Sequence, residues 1–186
     1  MVKVRTAVVD DAAAMGRVMV RAWLSAHRGQ VPHSAWQKRV DEWTPEVSAR
    51  AWARLLTERA DGDHPRVVLL VAEDESDDCV GLVLGMGDED DTEGSIASID
   101  ALYVLPDRQG QGVGRRLLQE AAGELAALGF SALNIGVLTA NRPARAFYEA
   151  LGGEEVGQRT FDEEGHRLPG TIYAWRDIAV LIRRPA

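Results

Sequence analysis

Leu102-Tyr103-Val104-Leu105-Pro106-Asp107-Arg108-Gln109-Gly110-Gln111-Gly112-Val113-Gly114-Arg115-Arg116-Leu117-Leu118 is the stretch on which the reading of this chain turns. A strand-like run leads into it and a helix leaves it. Between them stands Gln109-Gly110-Gln111-Gly112-Val113-Gly114-Arg115. Glycines at 110, 112 and 114 let the backbone approach a ligand with no β-carbons in the way. The amides then point outward at the start of a helix, where the dipole favours negative charge. The turn reads as a phosphate cradle. The plainer reading is a tight turn that uses glycine for its own shape, and such a turn needs only one or two.

Two familiar phosphate motifs do not fit. A P-loop ends in Gly-Lys-Ser or Gly-Lys-Thr, whereas Gly114 is followed by Arg115 and Arg116. A dinucleotide fingerprint places a third glycine where Arg115 stands, and its strands belong to repeated crossovers. The neighbouring segments here read as hairpins. The spacing Gln-x-x-Gly-x-Gly is met by Gln109, Gly112 and Gly114.

Working outward, Val2, Val4 and Thr6 alternate with Lys3 and Arg5 as a first strand. Asp10 or Asp11 caps a helix with Ala14, Val18 and Ala22 on its apolar face, and Gly29 and Pro32 end it. A second helix runs from about Val47 to Arg59. Strands follow at Val67 to Ala72, Cys79 to Met86 and Ile96 to Leu105, joined by the acidic turns Glu73–Asp78 and Asp88–Glu93. Both turns read as solvated hairpin ends. A helix from Gly112 to Leu128 closes at Gly129. A buried-type strand spans Ala132 to Val137, and a short helix runs from Asn141 to Leu151 with Gly152 as its stop. Two strands near Glu155–Phe161 and Thr171–Asp177 finish the chain. The order β-α-α-β-β-β-α-β-α-β-β mixes antiparallel hairpins with one strand–helix–strand crossover. It predicts a single α/β domain over residues 1–186, built on one mixed sheet.

Composition narrows the function. The chain has 186 residues, 46% of them hydrophobic, enough for a full core. No apolar run approaches a membrane span, and the amino terminus lacks a signal-peptide core. A lone cysteine, Cys79, argues for a reducing, cytoplasmic setting. The net charge of −8 argues against nucleic acid and anionic membranes as partners, so bound phosphate must be held by a local site. The histidines His27, His33, His64 and His166 show no metal spacing.

The quoted stretch resembles the core of the GCN5-related N-acetyltransferase (GNAT) superfamily. The segment Asn141 to Gly153 resembles that family's next signature, and the element order of the whole chain agrees. The resemblance implies a mostly antiparallel sheet of about seven strands flanked by four helices. It implies acetyl-coenzyme A as co-substrate, with no metal. The pantetheine arm would lie along the open edge of the strand at Leu102, Tyr103 and Val104, much as an added strand would. The pyrophosphate would sit on amides of Gln109, Gly110, Gln111, Gly112, Val113 and Gly114, with Arg115 or Arg108 adding a charge-assisted contact. Tyr148 would donate a proton to the leaving thiolate. An unperturbed phenol, with a pKa of about 10, carries that proton at neutral pH. Asn141 is either a helix cap alone or also a contact to the pantetheine arm.

The general base is where the resemblance fails. Some members carry a glutamate at the position of Ser98, and a serine is no unaided base. Asp100, two positions on and expected on the same face, is the candidate, directly or through water. Trp23, Trp36, Trp43 and Trp52, with Arg21, His27 and Arg28 among them, either wall an acceptor pocket or pack the core. The implied activity is acetyl transfer to a primary amine of a small molecule. A non-catalytic coenzyme A-binding sensor or assembly domain is the alternative. Family habit adds a homodimer.

Overall fold

The structure is a computed structural model and describes residues 2–76, 78–88, 91 and 93–183. Strand β1 (Lys3–Thr6) leads through a 3₁₀ turn into helices α1 (Ala12–His27), α2 (His33–Glu42) and α3 (Pro45–Ala60). Strands β2 (Val68–Glu73), β3 (Cys79–Gly87) and β4 (Ile96–Val104) follow. Then come α4 (Val113–Ala127), β5 (Ala132–Leu138) and α5 (Arg142–Ala150). The hairpin β6 (Glu154–Glu163) and β7 (His166–Trp175) precedes a last turn, α6 (Ala179–Ile182). The seven strands form one sheet in the order β1-β2-β3-β4-β5-β7-β6. Every pairing is antiparallel except β4 with β5, which the α4 crossover makes parallel.

The sheet is covered on both faces. Leu69, Val71, Leu82 and Leu84 meet Met15, Val18, Trp52 and Leu56 of α1 and α3. On the other face Leu70, Val83, Ile99 and Leu133 meet Leu117, Leu118 and Leu125 of α4. β2 is buried at every position, as its continuous apolar run requires.

Two helices exceed the four expected. Pro32 does end α1's neighbourhood, but it also stands as the N-cap of α2. α2 buries only Ala35, so it shows little apolar periodicity. It is held instead by polar contacts and by Arg39 over the Trp23 ring. Arg39 Nε lies 2.6 Å from Glu163 Oε1, and Lys38 Nζ lies 2.5 Å from Glu164 Oε2, both at the β6–β7 turn. α6 is one turn long. Helix α3 begins two residues before the expected start, with Thr44 accepting from the Val47 amide at 3.3 Å and Pro45 in its first turn. Asp11 precedes α1 without capping it. Its carboxylate takes the Val8 amide and the Arg5 guanidinium, which holds it below the usual carboxylate range. Parts of the two acidic turns, residues 77, 89, 90 and 92, lie outside the described residues. Elsewhere in them Asp74 and Asp91 accept backbone amides, Asp91 from Ser95 and Ile96 at 2.6 Å each.

Candidate active site

β4 and β5 pair only from Ile96–Ile99 to Ala132–Ile135, and the ladder stops there. The cause lies on β4's other side. Leu84 pairs with Ala101 and Gly85 with Ile99, so Asp100 is an extra residue, a β-bulge. The bulge also reverses the alternation. Ala97 and Ile99 face α4, Ala101 and Tyr103 face α1 and α3, and Leu102 and Val104 return to the α4 side. The Leu105 amide donates to the Val80 carbonyl at 2.9 Å. The antiparallel alternation then turns the polar groups of Leu102 and Val104 toward the open edge and those of Tyr103 toward β3. Of the three expected edge residues, Leu102 and Val104 present backbone to the fork, and Tyr103 presents its side chain to the opposite face.

The glycine turn closes the wide end of this fork. Gly110 and Gly112 have φ of 72° and 82°, and a β-carbon at either would meet open space. Glycine is needed there for left-handed backbone, not for room. Gly114 has ordinary φ, and a β-carbon there would touch the Phe147 ring at 3.5 Å. Gly112 is the N-cap of α4 and offers no side-chain oxygen, whereas Thr44 and Asn141 cap α3 and α5. The bond from the Arg116 amide to the Gly112 carbonyl is 3.0 Å, so amides before Arg116 in that turn precede the helical ladder. Gln109 donates to the Val104 carbonyl at 3.1 Å and Gln111 to the Asp107 carbonyl at 3.0 Å, fixing the turn from both sides. Arg108 is engaged elsewhere, 2.7 Å from Asp74.

Asn141 caps α5, its Oδ1 accepting from the Ala144 amide at 3.3 Å. Tyr148 lies two turns on and is buried, with Phe147, Tyr173 and Trp175 rings at 5.4, 5.9 and 6.3 Å. Burial pushes its phenol well above the usual range, and the nearby Tyr103 phenol adds to the shift. No hydrogen bond among the described residues engages the Tyr148 hydroxyl. Its neighbour Tyr173 differs: Arg145 donates to that hydroxyl at 3.1 Å, and it donates to Glu149 at 2.5 Å. Burial pushes the Tyr103 phenol up to about 12.

On the face away from α4 the fork opens into a pocket of about 290 Å³ lined by Ser98, Asp100, Asn134, Arg159, Phe161 and Asp88, among others. Ser98 donates to Asp100, so the two side chains meet on one face despite the bulge. Asn134 donates to Asp88 at 2.9 Å. In the sequence Asp88 reads as part of a solvated turn and Asn134, Arg159 and Phe161 carry no site role, whereas all four line this pocket. The one signal was Asn134, a polar residue inside an apolar strand. The tryptophans do not wall this pocket. Trp23 stacks on His27 at 4.5 Å and meets Trp43 edge-on, and the Arg39 guanidinium already sits over both indoles at 5.6 and 5.3 Å. Trp36 donates to the Leu24 carbonyl, and Trp52 is core. His27 donates through Nδ1 to the Trp23 carbonyl at 2.9 Å, and burial lowers its pKa. Among the described residues no group of three or more His, Cys, Asp or Glu is placed to hold a metal, and no helix is long and apolar enough to cross a membrane.

The pattern of the acetyltransferase (GNAT) family matches residues 32–153, which include the bulged strand, the glycine turn and α5. The uncharacterized N-acetyltransferase YuaI of Bacillus subtilis (strain 168) is 28% identical over 185 residues, 97% of this chain and 96% of that protein. The peptidyl-lysine N-acetyltransferase YjaB of Salmonella typhimurium is 29% identical over 153 residues, 82% of this chain and 95% of its own. A phosphinothricin acetyltransferase of the GNAT superfamily from Sinorhizobium meliloti, solved in complex with AcCoA, shares the fold. Its TM-score is 0.68 at 23% identity, over 94% of this chain and 87% of that one.

Proposed function

The chain belongs to the acetyltransferase (GNAT) family, and from that premise we propose that it carries the acetyl group of acetyl-coenzyme A to a primary amine of a small molecule. It is an N-acetyltransferase with acetyl-coenzyme A as its donor. What supports the finer reading is the fork at Ile99, open to α4 on one side and to a small pocket on the other.

The donor lies with its pantetheine amides along Leu102 and Val104 and its pyrophosphate on the turn Gln109 to Gly114, where the uncapped amides of α4 and the dipole oppose the charge. Arg115 and Asn141 complete its contacts. The thioester carbonyl then sits at the bulge, and the amine enters from the pocket side. The amine loses a proton to Asp100 or to water held by Asp100 and Ser98. Its lone pair attacks the carbonyl carbon. As the tetrahedral adduct collapses, the C–S bond breaks, the thiolate takes the Tyr148 proton, and the nitrogen gives its surplus proton to solvent in the pocket, from which the phenol is reprotonated. Burial keeps that proton in place at neutral pH. Both substrates are bound together, and no acyl-enzyme forms.

At about 290 Å³ the pocket lies at the small end of ligand cavities, which favours a small acceptor. The Salmonella relative's peptidyl-lysine supports a second reading, in which only a lysine side chain enters. Cytoplasmic residence rests on the lone Cys79, and a homodimer rests on fold analogy. Thiol release from acetyl-coenzyme A across a panel of free amines and lysine peptides tests the reading. Turnover of free amines is expected, and turnover of peptides alone refutes the small-molecule acceptor.

A further inference from the structure

The pocket beside the fork carries both signs of charge. Asp100, held by Ser98, and Asp88, held by Asn134, line one side. Arg159 lines the same cavity from β6. Its guanidinium lies over the Phe161 ring, 4.9 Å from the centroid, and among the described residues it has no carboxylate partner.

The placement of that arginine is built into the sheet. A β-carbon at Gly170 would fall 2.2 Å from the Phe161 ring, and one at Gly136 would fall 2.9 Å from it and 3.2 Å from Arg159 Cδ. Only glycine at these two points lets Phe161 and the Arg159 stem lie across β7 and β5 into the pocket. The ring in turn supports the flat guanidinium, which leaves its N–H fork directed along its own plane. An ammonium satisfies the carboxylate side of this cavity but leaves the guanidinium side unmatched. A molecule with an amine at one end and an acid at the other matches both, and a cavity this size admits only a compact one.

We infer that Arg159 is a specificity-determining residue whose guanidinium binds an anionic group on the acceptor, so that the preferred acceptor is a small amino carboxylate. The inference rests on the acetyl-transfer reading for the identity of the pocket. Its test does not. Acceptors from glycine to 5-aminopentanoate are each paired with their carboxamides, and kcat/KM is measured by thiol release. The wild-type protein is expected to favour the best carboxylate over its amide by tenfold or more. Arg159→Gln should bring that ratio close to one, Arg159→Lys should keep part of it, and Arg159→Glu should turn the preference toward a diamine of the same length. Equal rates on acid and amide, a ratio that Arg159→Gln does not move, or a preference for lysine peptides over every amino carboxylate overturns the inference. If no amine releases thiol, transfer is refuted, and the subsite is read by calorimetric titration of the same pairs into the protein saturated with coenzyme A. Tighter binding of the carboxylate that Arg159→Gln abolishes then supports it, and equal binding overturns it.

Discussion

Replacing Tyr148 with phenylalanine removes one oxygen and little else. The ring keeps its contacts with Phe147, Tyr173 and Trp175, and no hydrogen bond among the described residues is lost. Stability is therefore expected to change by less than about 1 kcal/mol, since a hydrogen bond between buried groups contributes about that much and none is broken. The kinetic cost is separate. General acid catalysis contributes about 10²–10⁴-fold, and two features place this phenol at the lower end. An alkyl thiol like that of cysteine ionises at about 8.5, so the thiolate is already a fair leaving group. Burial also raises the phenol's pKa, which weakens the drive for proton transfer. We expect kcat to fall about 10²-fold, equivalent to about 2.7 kcal/mol of barrier. The Michaelis constant for acetyl-coenzyme A should stay within about twofold, because the interaction forms only as the C–S bond breaks. Thiol release measured with a chromogenic disulfide gives the rates, and urea melts give the stability. A kcat within threefold of wild type, or a rate loss that tracks lost stability, would refute the assignment of the proton to Tyr148.

Three further outcomes are expected. Gly112→Ala places a β-carbon in open space but holds φ near 82°, so it should cost about 1–2 kcal/mol in backbone strain and weaken acetyl-coenzyme A, with no clash to relieve; calorimetry with the donor and a thermal melt check both. Asp100→Asn should lower the rate most at pH values where the amine is mainly protonated, and a loss uniform across pH would mean that Asp100 only positions the amine. Tyr103 and Tyr148 both have phenols raised by burial, so their contribution to stability is full below the unfolded value of about 10 and is lost as pH rises toward the folded values. Burial likewise pushes the Cys79 thiol up to about 11, so its contribution begins to fall at a lower pH than that of the phenols. Urea melts from pH 8 to 11 should show stability falling through the upper part of that range, and Tyr148→Phe should reduce the slope above about 10.

The sequence by itself determined the order of the seven strands, the parallel crossover and the glycine turn. These depend on local rules: period-2 and period-3.6 patterns, closely spaced glycines, and a cap at Asn141. Gly110 and Gly112 mark the turn in the sequence as room for a ligand, whereas their requirement for left-handed backbone emerged only from the structure. α2 escaped because it is held by contacts to other elements, Arg39 and Lys38 to Glu163 and Glu164 more than a hundred residues away, Arg39 to the Trp23 ring and Trp36 to the Leu24 carbonyl, and not by an apolar face of its own. The acceptor side was decided by tertiary structure alone. The bulge at Asp100 follows from how β3 and β4 register, and it both opens the fork and sets which residues face it. Arg159 and Phe161 enter the pocket only because glycines on two other strands, Gly136 and Gly170, leave room for them. Such coincidences of empty space and side chain involve residues distant in the chain, and no local pattern encodes them.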